Sequence, residues 1–203
     1  MILMLLLACR PLPGGDDYAS QEDLGWLEGS EVLEGDVPYS PGDLRLTVNL
    51  FYEGGASHAI PIDNLGVFYY IYEGTFFQTV TDDRVEGLSA ERLVHGGGPW
   101  FGGGVHFEDG FRDFSSWSTL HLTLKSSDAS FGSTRIGMIT GDGQFEWPLV
   151  DFGFVPDGEW HTVVLPLDEL ASGLERTEAP LLIVGNEGTL GDELIIDDLY
   201  WVP

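Results

Sequence analysis

Lysine is almost missing from this chain. Lys125 is the only one in 203 residues, and Lys and Arg together number eight against 34 Asp and Glu. The resulting formal charge of −26 excludes a nucleic-acid binder, which must neutralise phosphates with cations. It also excludes a polybasic membrane patch. Cysteine is as scarce: Cys9 stands alone, so no intramolecular disulfide can form and stability rests on a packed core or a bound ion. The apolar run near the amino terminus, residues 2–8, falls far short of the roughly 20 residues that a spanning helix needs. Catalytic signatures are missing too. The sequence has no Gly-x-Ser-x-Gly elbow, no His-Glu-x-x-His pair, no phosphate loop and no EF-hand spacing around Asp142 or Asp151. A glycosidase needs two carboxylates across a cleft, but among 34 acids such a pair carries no information.

What is present suits a packed domain. Hydrophobic residues make up 43% of the chain, with twelve Phe and six Trp, ample for a core despite the charge. Glycine, at 28 residues, is about twice its usual share. The acidity has two readings, solubility or an affinity for cations such as calcium. Residues 2–8 match the apolar part of a secretory signal, and Leu6-Leu7-Ala8-Cys9 resembles the lipobox of bacterial lipoproteins. That resemblance implies cleavage before Cys9 and its acylation, hence a cell-envelope location. The alternatives are an ordinary signal in which Cys9 is incidental, or a buried terminal segment. Residues 10–42, rich in Pro, Gly and acids, read as an acidic tether, or as a loop packed on the domain through Trp26 and Leu27.

From residue 43 onward the period is two. Leu44, Leu46, Val48 and Leu50 alternate with polar residues, as do Leu120, Leu122 and Leu124. Residues 67–72 are aromatic or β-branched on both faces, and further short strands are expected at 76–81, 92–95, 104–107, 135–140, 145–154, 161–165, 180–184 and 194–202. Turn pairs such as Asp109-Gly110 and Asp157-Gly158 separate them. A single helical turn is expected within 167–174. About ten strands so punctuated predict an all-β antiparallel sandwich over residues 43–203.

Four segments carry a resemblance. Residues 114–127, with Trp117 and the alternating leucines, resemble the start of a sheet in galactose-binding-like jelly rolls. Asp157-Gly158-Glu159-Trp160 through Pro166-Leu167 is similar to the Gly-x-Trp … Pro-Leu segment of that superfamily, and Ile195-Ile196-Asp197-Asp198-Leu199 to its closing strand. The tract Gly96-Gly97-Gly98-Pro99-Trp100-Phe101-Gly102-Gly103-Gly104 resembles the module appended to marine bacterial exo-β-glucanases. The resemblance implies a jelly roll that binds carbohydrate, with Trp117 and Trp160 in its core. It also implies a structural calcium ion held by Glu53 together with Asp197 or Asp198, backbone carbonyls supplying the remaining oxygens.

Sugar binding requires aromatic faces for pyranose C–H groups and polar groups to fix hydroxyls. Trp100 and Phe101, set among glycines that permit close approach, are the leading candidates. His95 and His106 bracket them, Trp147 beside Pro148 marks an edge or bulge, and Tyr69 and Tyr72 lie on opposite strand faces, so only one can face a given groove. The expected function is therefore non-catalytic binding of a neutral polysaccharide such as β-glucan. The alternatives are an adhesive envelope lipoprotein that binds another protein, and a diverged glycan-active enzyme.

Overall fold

The computed structural model describes residues 44–52, 58–108 and 110–203. The expected signal and tether, with Cys9 and Glu53, lie outside the described residues. In chain order the strands are β1 (Leu44–Thr47), β2 (His58–Pro61), β3 (Val67–Ile71), β4 (Phe76–Thr81), β5 (Ala90–His95) and β6 (Trp100–Phe107). There follow β7 (Thr119–Lys125), β8 (Arg135–Thr140), β9 (Gly143–Pro148), β10 (Trp160–Pro166), β11 (Ala179–Asn186) and β12 (Glu193–Val202). The single α-helical turn among the described residues, α1 (Leu167–Leu170), continues directly from β10.

The strands form two sheets. One is five-stranded, in the order β3-β6-β11-β8-β9, and every pair in it is antiparallel. The other has seven strands. Its path is β10-β7-β12-β1-β2, with β5 on the first half of β12 and β4 beyond β5. All its pairs are antiparallel except β1 with β2. The two sheets face one another as a jelly-roll sandwich.

Alternation puts the core between them. Leu120, Leu122 and Leu124 face inward at no more than 1% exposure, opposite Leu165 and Val163 of β10 and Ile196 of β12. From the other sheet come Phe101, Val105, Ile136, Met138, Leu181 and Ile183. Each such side chain contributes about 1.5–3 kcal/mol on burial.

The outward positions of β7 do not simply meet water. Thr123 is buried against Thr162, with their hydroxyl oxygens 3.1 Å apart, and His121 stacks on Tyr200 at 4.9 Å. The Arg45 guanidinium lies 4.0 Å from the centre of the Tyr200 ring. The far face of the seven-stranded sheet is thus a second, polar, buried layer. The five-stranded sheet is the one that presents an open face.

Candidate functional site

Strand β3 is the edge of the five-stranded sheet. Val67 and Ile71 pack on the core, so Phe68 and Tyr70 point outward. Tyr72 continues their spacing in the 3-10 turn Tyr72–Gly74 that follows. In the neighbouring strand Phe101, Val105 and Phe107 are inward and buried, leaving Trp100, Gly102, Gly104 and His106 outward. The register sets Phe68 opposite His106 and Tyr70 opposite Gly104. A Cβ on Gly102 would lie 3.0 Å from Tyr72 Cδ2, and one on Gly104 would lie 2.4 Å from the Leu181 carbonyl oxygen and 2.9 Å from the Tyr70 hydroxyl. Glycine is needed at 104, where the β11 backbone already occupies the place of a Cβ, and at 102 it lets the Tyr72 ring lie close.

The product is a continuous strip of five rings. Phe68 stacks on His106 at 5.5 Å and 18°. His106 and Tyr70 are 5.1 Å apart, Tyr70 and Tyr72 4.8 Å, and Tyr72 and Trp100 5.7 Å. The two tyrosine hydroxyls are bonded at 3.1 Å. Phe68, Tyr72 and Trp100 are exposed. Burial, with the Tyr72 hydrogen bond second, pushes the Tyr70 phenol well above its ordinary pKa. Burial lowers that of His106, against a smaller opposing effect of Glu178. Both groups are therefore neutral hydrogen-bonding partners near pH 7.

Beyond the strip the same face passes over Leu182, Val184 and Asn186 of β11 to a polar border. There Arg135 Nε donates to Glu146 Oε2 at 2.8 Å, and Gln144 Nε2 donates to Glu146 Oε1 at 2.6 Å. The surface thus combines flat rings with fixed donors and acceptors, an arrangement suited to a ligand that has both C–H faces and hydroxyls.

Of the residues expected from sequence, Trp100, Tyr72 and His106 come together here. Four do not. Phe101 is fully buried, 5.0 Å from Phe76 and 5.2 Å from Phe131, and cannot stack on a ligand. His95 is equally buried, its Nδ1 accepting the Gly97 N–H at 2.8 Å and its ring edge-on to Phe101. Tyr69 lies on the other side of β3 from Tyr70, and its hydroxyl donates to Asp63. Trp147 belongs to an edge strand as expected, but it faces the core and stacks on Phe145 at 6.3 Å. Trp117 packs on the core as expected, whereas Trp160 stays at the sheet surface, where its Nε1 donates to Asp83 at 3.1 Å.

Of the expected calcium ligands, Glu53 lies outside the described residues, and Asp197 and Asp198 are engaged by other groups. Asp197 Oδ2 accepts the N–H groups of Val85 and Glu86 at 2.7 and 3.1 Å, and its Oδ1 accepts that of Asp198 at 2.9 Å. Asp198 Oδ1 lies 3.8 Å from Arg45 Nη1. Among the described residues no three His, Cys, Asp or Glu side chains converge. Sequence reasoning missed Phe68, Tyr70, Arg135, Gln144 and Glu146. The readable signal was aromatics two apart at 68, 70 and 72 and glycines two apart at 102 and 104.

No family model matches the sequence, and no curated protein matches it. Solved structures do. A family 30 carbohydrate-binding module is 14% identical with a TM-score of 0.51, over 66% of this chain and 80% of that one. An exo-β-agarase is 12% identical with a TM-score of 0.50, over 68% of this chain but only 23% of that one. The family 11 carbohydrate-binding module of a cellulosomal cellulase of Clostridium thermocellum is 15% identical with a TM-score of 0.46, over 68% of this chain and 88% of that one. At these identities the first two establish the fold: the described part of this chain is a β-sandwich jelly roll of the same architecture.

Proposed function

We propose that the protein binds carbohydrate, without cleaving it, on the open face of the five-stranded sheet. The observation that carries this reading is the unbroken strip Phe68–His106–Tyr70–Tyr72–Trp100, with neighbouring ring centres 4.8–5.7 Å apart. Sharing a fold with a family 30 carbohydrate-binding module supports it. Pyranose rings would lie along the aromatic faces. The Tyr70 and Tyr72 hydroxyls, His106, and the Gln144–Glu146–Arg135 border would bond their hydroxyls.

The ligand is a neutral polysaccharide such as β-glucan. A surface charge of −26 repels uronate polymers at long range, and the strip presents neutral polar groups. Binding without turnover fits Glu146, which is already engaged by Arg135 and Gln144. The lipobox-like Leu6-Leu7-Ala8-Cys9 supports an acylated Cys9 and attachment at a bacterial envelope.

Affinity electrophoresis through neutral and uronate-containing polysaccharides tests the reading. Retardation on a neutral glucan is expected, with loss in Trp100→Ala and Tyr72→Ala and no reducing ends released overnight. Equal retardation of both variants and the wild type moves binding off this face and refutes it. Incorporation of labelled palmitate into wild type but not Cys9→Ser tests the anchor.

A further inference from the structure

A second recess runs inward between the sheets beside strand β3. Strands β3 and β4 are both sheet edges, and between them a slot of about 190 Å³ runs inward to Phe76, Leu93, Val105 and Ile183. These four side chains are no more than 6% exposed, so the slot reaches the core. At its mouth stand Tyr69 and Gln78, both exposed. Tyr69 is held there by its bond to Asp63, whose other oxygen accepts the Asn49 N–H at 3.0 Å. Gln78 is hydrogen-bonded to Glu91, which faces inward one pair further along β5 and is 4% exposed.

Size and chemistry narrow the occupant. An apolar protein cavity of about 150 Å³ stays dry and takes up benzene, so this slot has room for one ring and a small substituent. Its walls offer water few partners. The polar groups sit at one end, where the Gln78 amide supplies both a donor and an acceptor. Asp63 and Glu91, bonded to the Tyr69 and Gln78 of the mouth, oppose an anion.

We propose that the slot between β3 and β4 binds a neutral molecule built on a single aromatic ring with one hydroxyl, a monocyclic phenol or aryl alcohol, with the ring inward and the hydroxyl at Gln78. The slot shares Tyr70 and Gly104 with the sugar-binding face, but the proposal does not rest on that reading. Burial raises the Glu91 carboxyl to about 7, so near neutrality the Gln78–Glu91 pair can accept from or donate to that hydroxyl.

The probe is p-cresol added to the full chain, with benzoate as the charged control. At tenfold excess over its dissociation constant p-cresol should raise Tm by about 3–6 °C, and benzoate should not. Nuclear Overhauser contacts should connect the cresol ring to methyls of Val105 and Ile183. Leu93→Trp, which fills the slot, should abolish both effects while glucan retardation persists. If that variant fails to fold, Leu50→Phe at the rim replaces it. No Tm rise with no contact to Val105 or Ile183 overturns the proposal. So do contacts confined to the Phe68–Trp100 strip, or an equal response from benzoate.

Discussion

Trp100 and Phe101 are adjacent in sequence and opposite in role, which makes their alanine variants a matched test of the register of β6. Phe101 is fully buried, with Phe76, Phe131 and His95 centred 5.0–5.6 Å from it. Its removal leaves a cavity as well as losing transfer energy, and such truncations cost about 3–5 kcal/mol. For a domain of this size each kcal/mol moves Tm by about 2–4 °C, so Phe101→Ala should melt about 6–20 °C lower. Trp100 is 38% exposed and its ring borders only Tyr72 among the aromatic neighbours. Trp100→Ala should cost about 1 kcal/mol or less, yet weaken glucan binding at least tenfold, a loss of about 1.4 kcal/mol or more. Urea unfolding and affinity electrophoresis on the same two proteins give both numbers. A destabilised Trp100→Ala beside a Phe101→Ala of near-native stability would mean that β6 is flipped by one residue, and the binding face as described would not exist.

The same cluster predicts that Gly185→Ala is severe, because its Cβ would lie 2.1 Å from Phe101 Cζ. Overpacking of this kind costs about 1–3 kcal/mol, and a Gly185→Ala/Phe101→Leu double variant should recover part of it in a double-mutant cycle. Burial already raises the Asp198 carboxyl to about 7 against the lowering effect of Arg45, so Arg45→Met should leave Asp198 protonated at neutral pH, and urea unfolding should show a loss of about 1–3 kcal/mol, partly restored by Asp198→Asn. Glu91, raised chiefly by burial from 4.5 to about 7, binds a proton in the folded state that the unfolded chain releases. Its contribution therefore favours folding at low pH and is lost as pH rises from about 4.5 through 7. His121, lowered by burial to about 4, works the other way as pH falls from 6.5 to 4. Comparing wild type with Glu91→Gln isolates the first effect, and the variant should lose less stability between pH 5 and pH 7.5.

Strand positions were legible wherever one face alone meets the core. Leu120, Leu122 and Leu124 announce β7, and residues 194–202 announce β12, because period-two burial is written directly into the order of residues. Boundaries were less so. The alternation at Leu44–Leu50 continues past the end of β1 at Thr47, since Val48 is buried from a turn. The stretch 145–154 likewise stops being strand at Pro148 and becomes a 3-10 turn. The site was half legible. Trp100 stood out by its glycines, but which of Trp100 and Phe101 points outward depends on pairing with β3 and β11, distant in sequence. Phe68 and Tyr70 were hidden for a similar reason: residues 67–72 are apolar on both faces, and only an edge place in the sheet tells the inner face from the outer. Arg135 and Glu146 pair across two strands, information that a local pattern does not contain.

Strand β12, the last of the described strands, has neighbours on both sides. β7 flanks it from Ile195 to Val202, while β5 and then β1 share the other edge, and its Asp197 holds the loop at Val85 from 112 residues away. This ten-residue strand is therefore the keystone of the larger sheet, made after every strand it pairs with. Until it is made, β1, β5 and β7 have no common partner, so assembly of the larger sheet waits on residues 193–202. Such long-range closure is slow. It also gives this strand a quality-control role: a chain that stops short of residues 193–202 lacks the strand that joins the first-made part of the sheet to the rest.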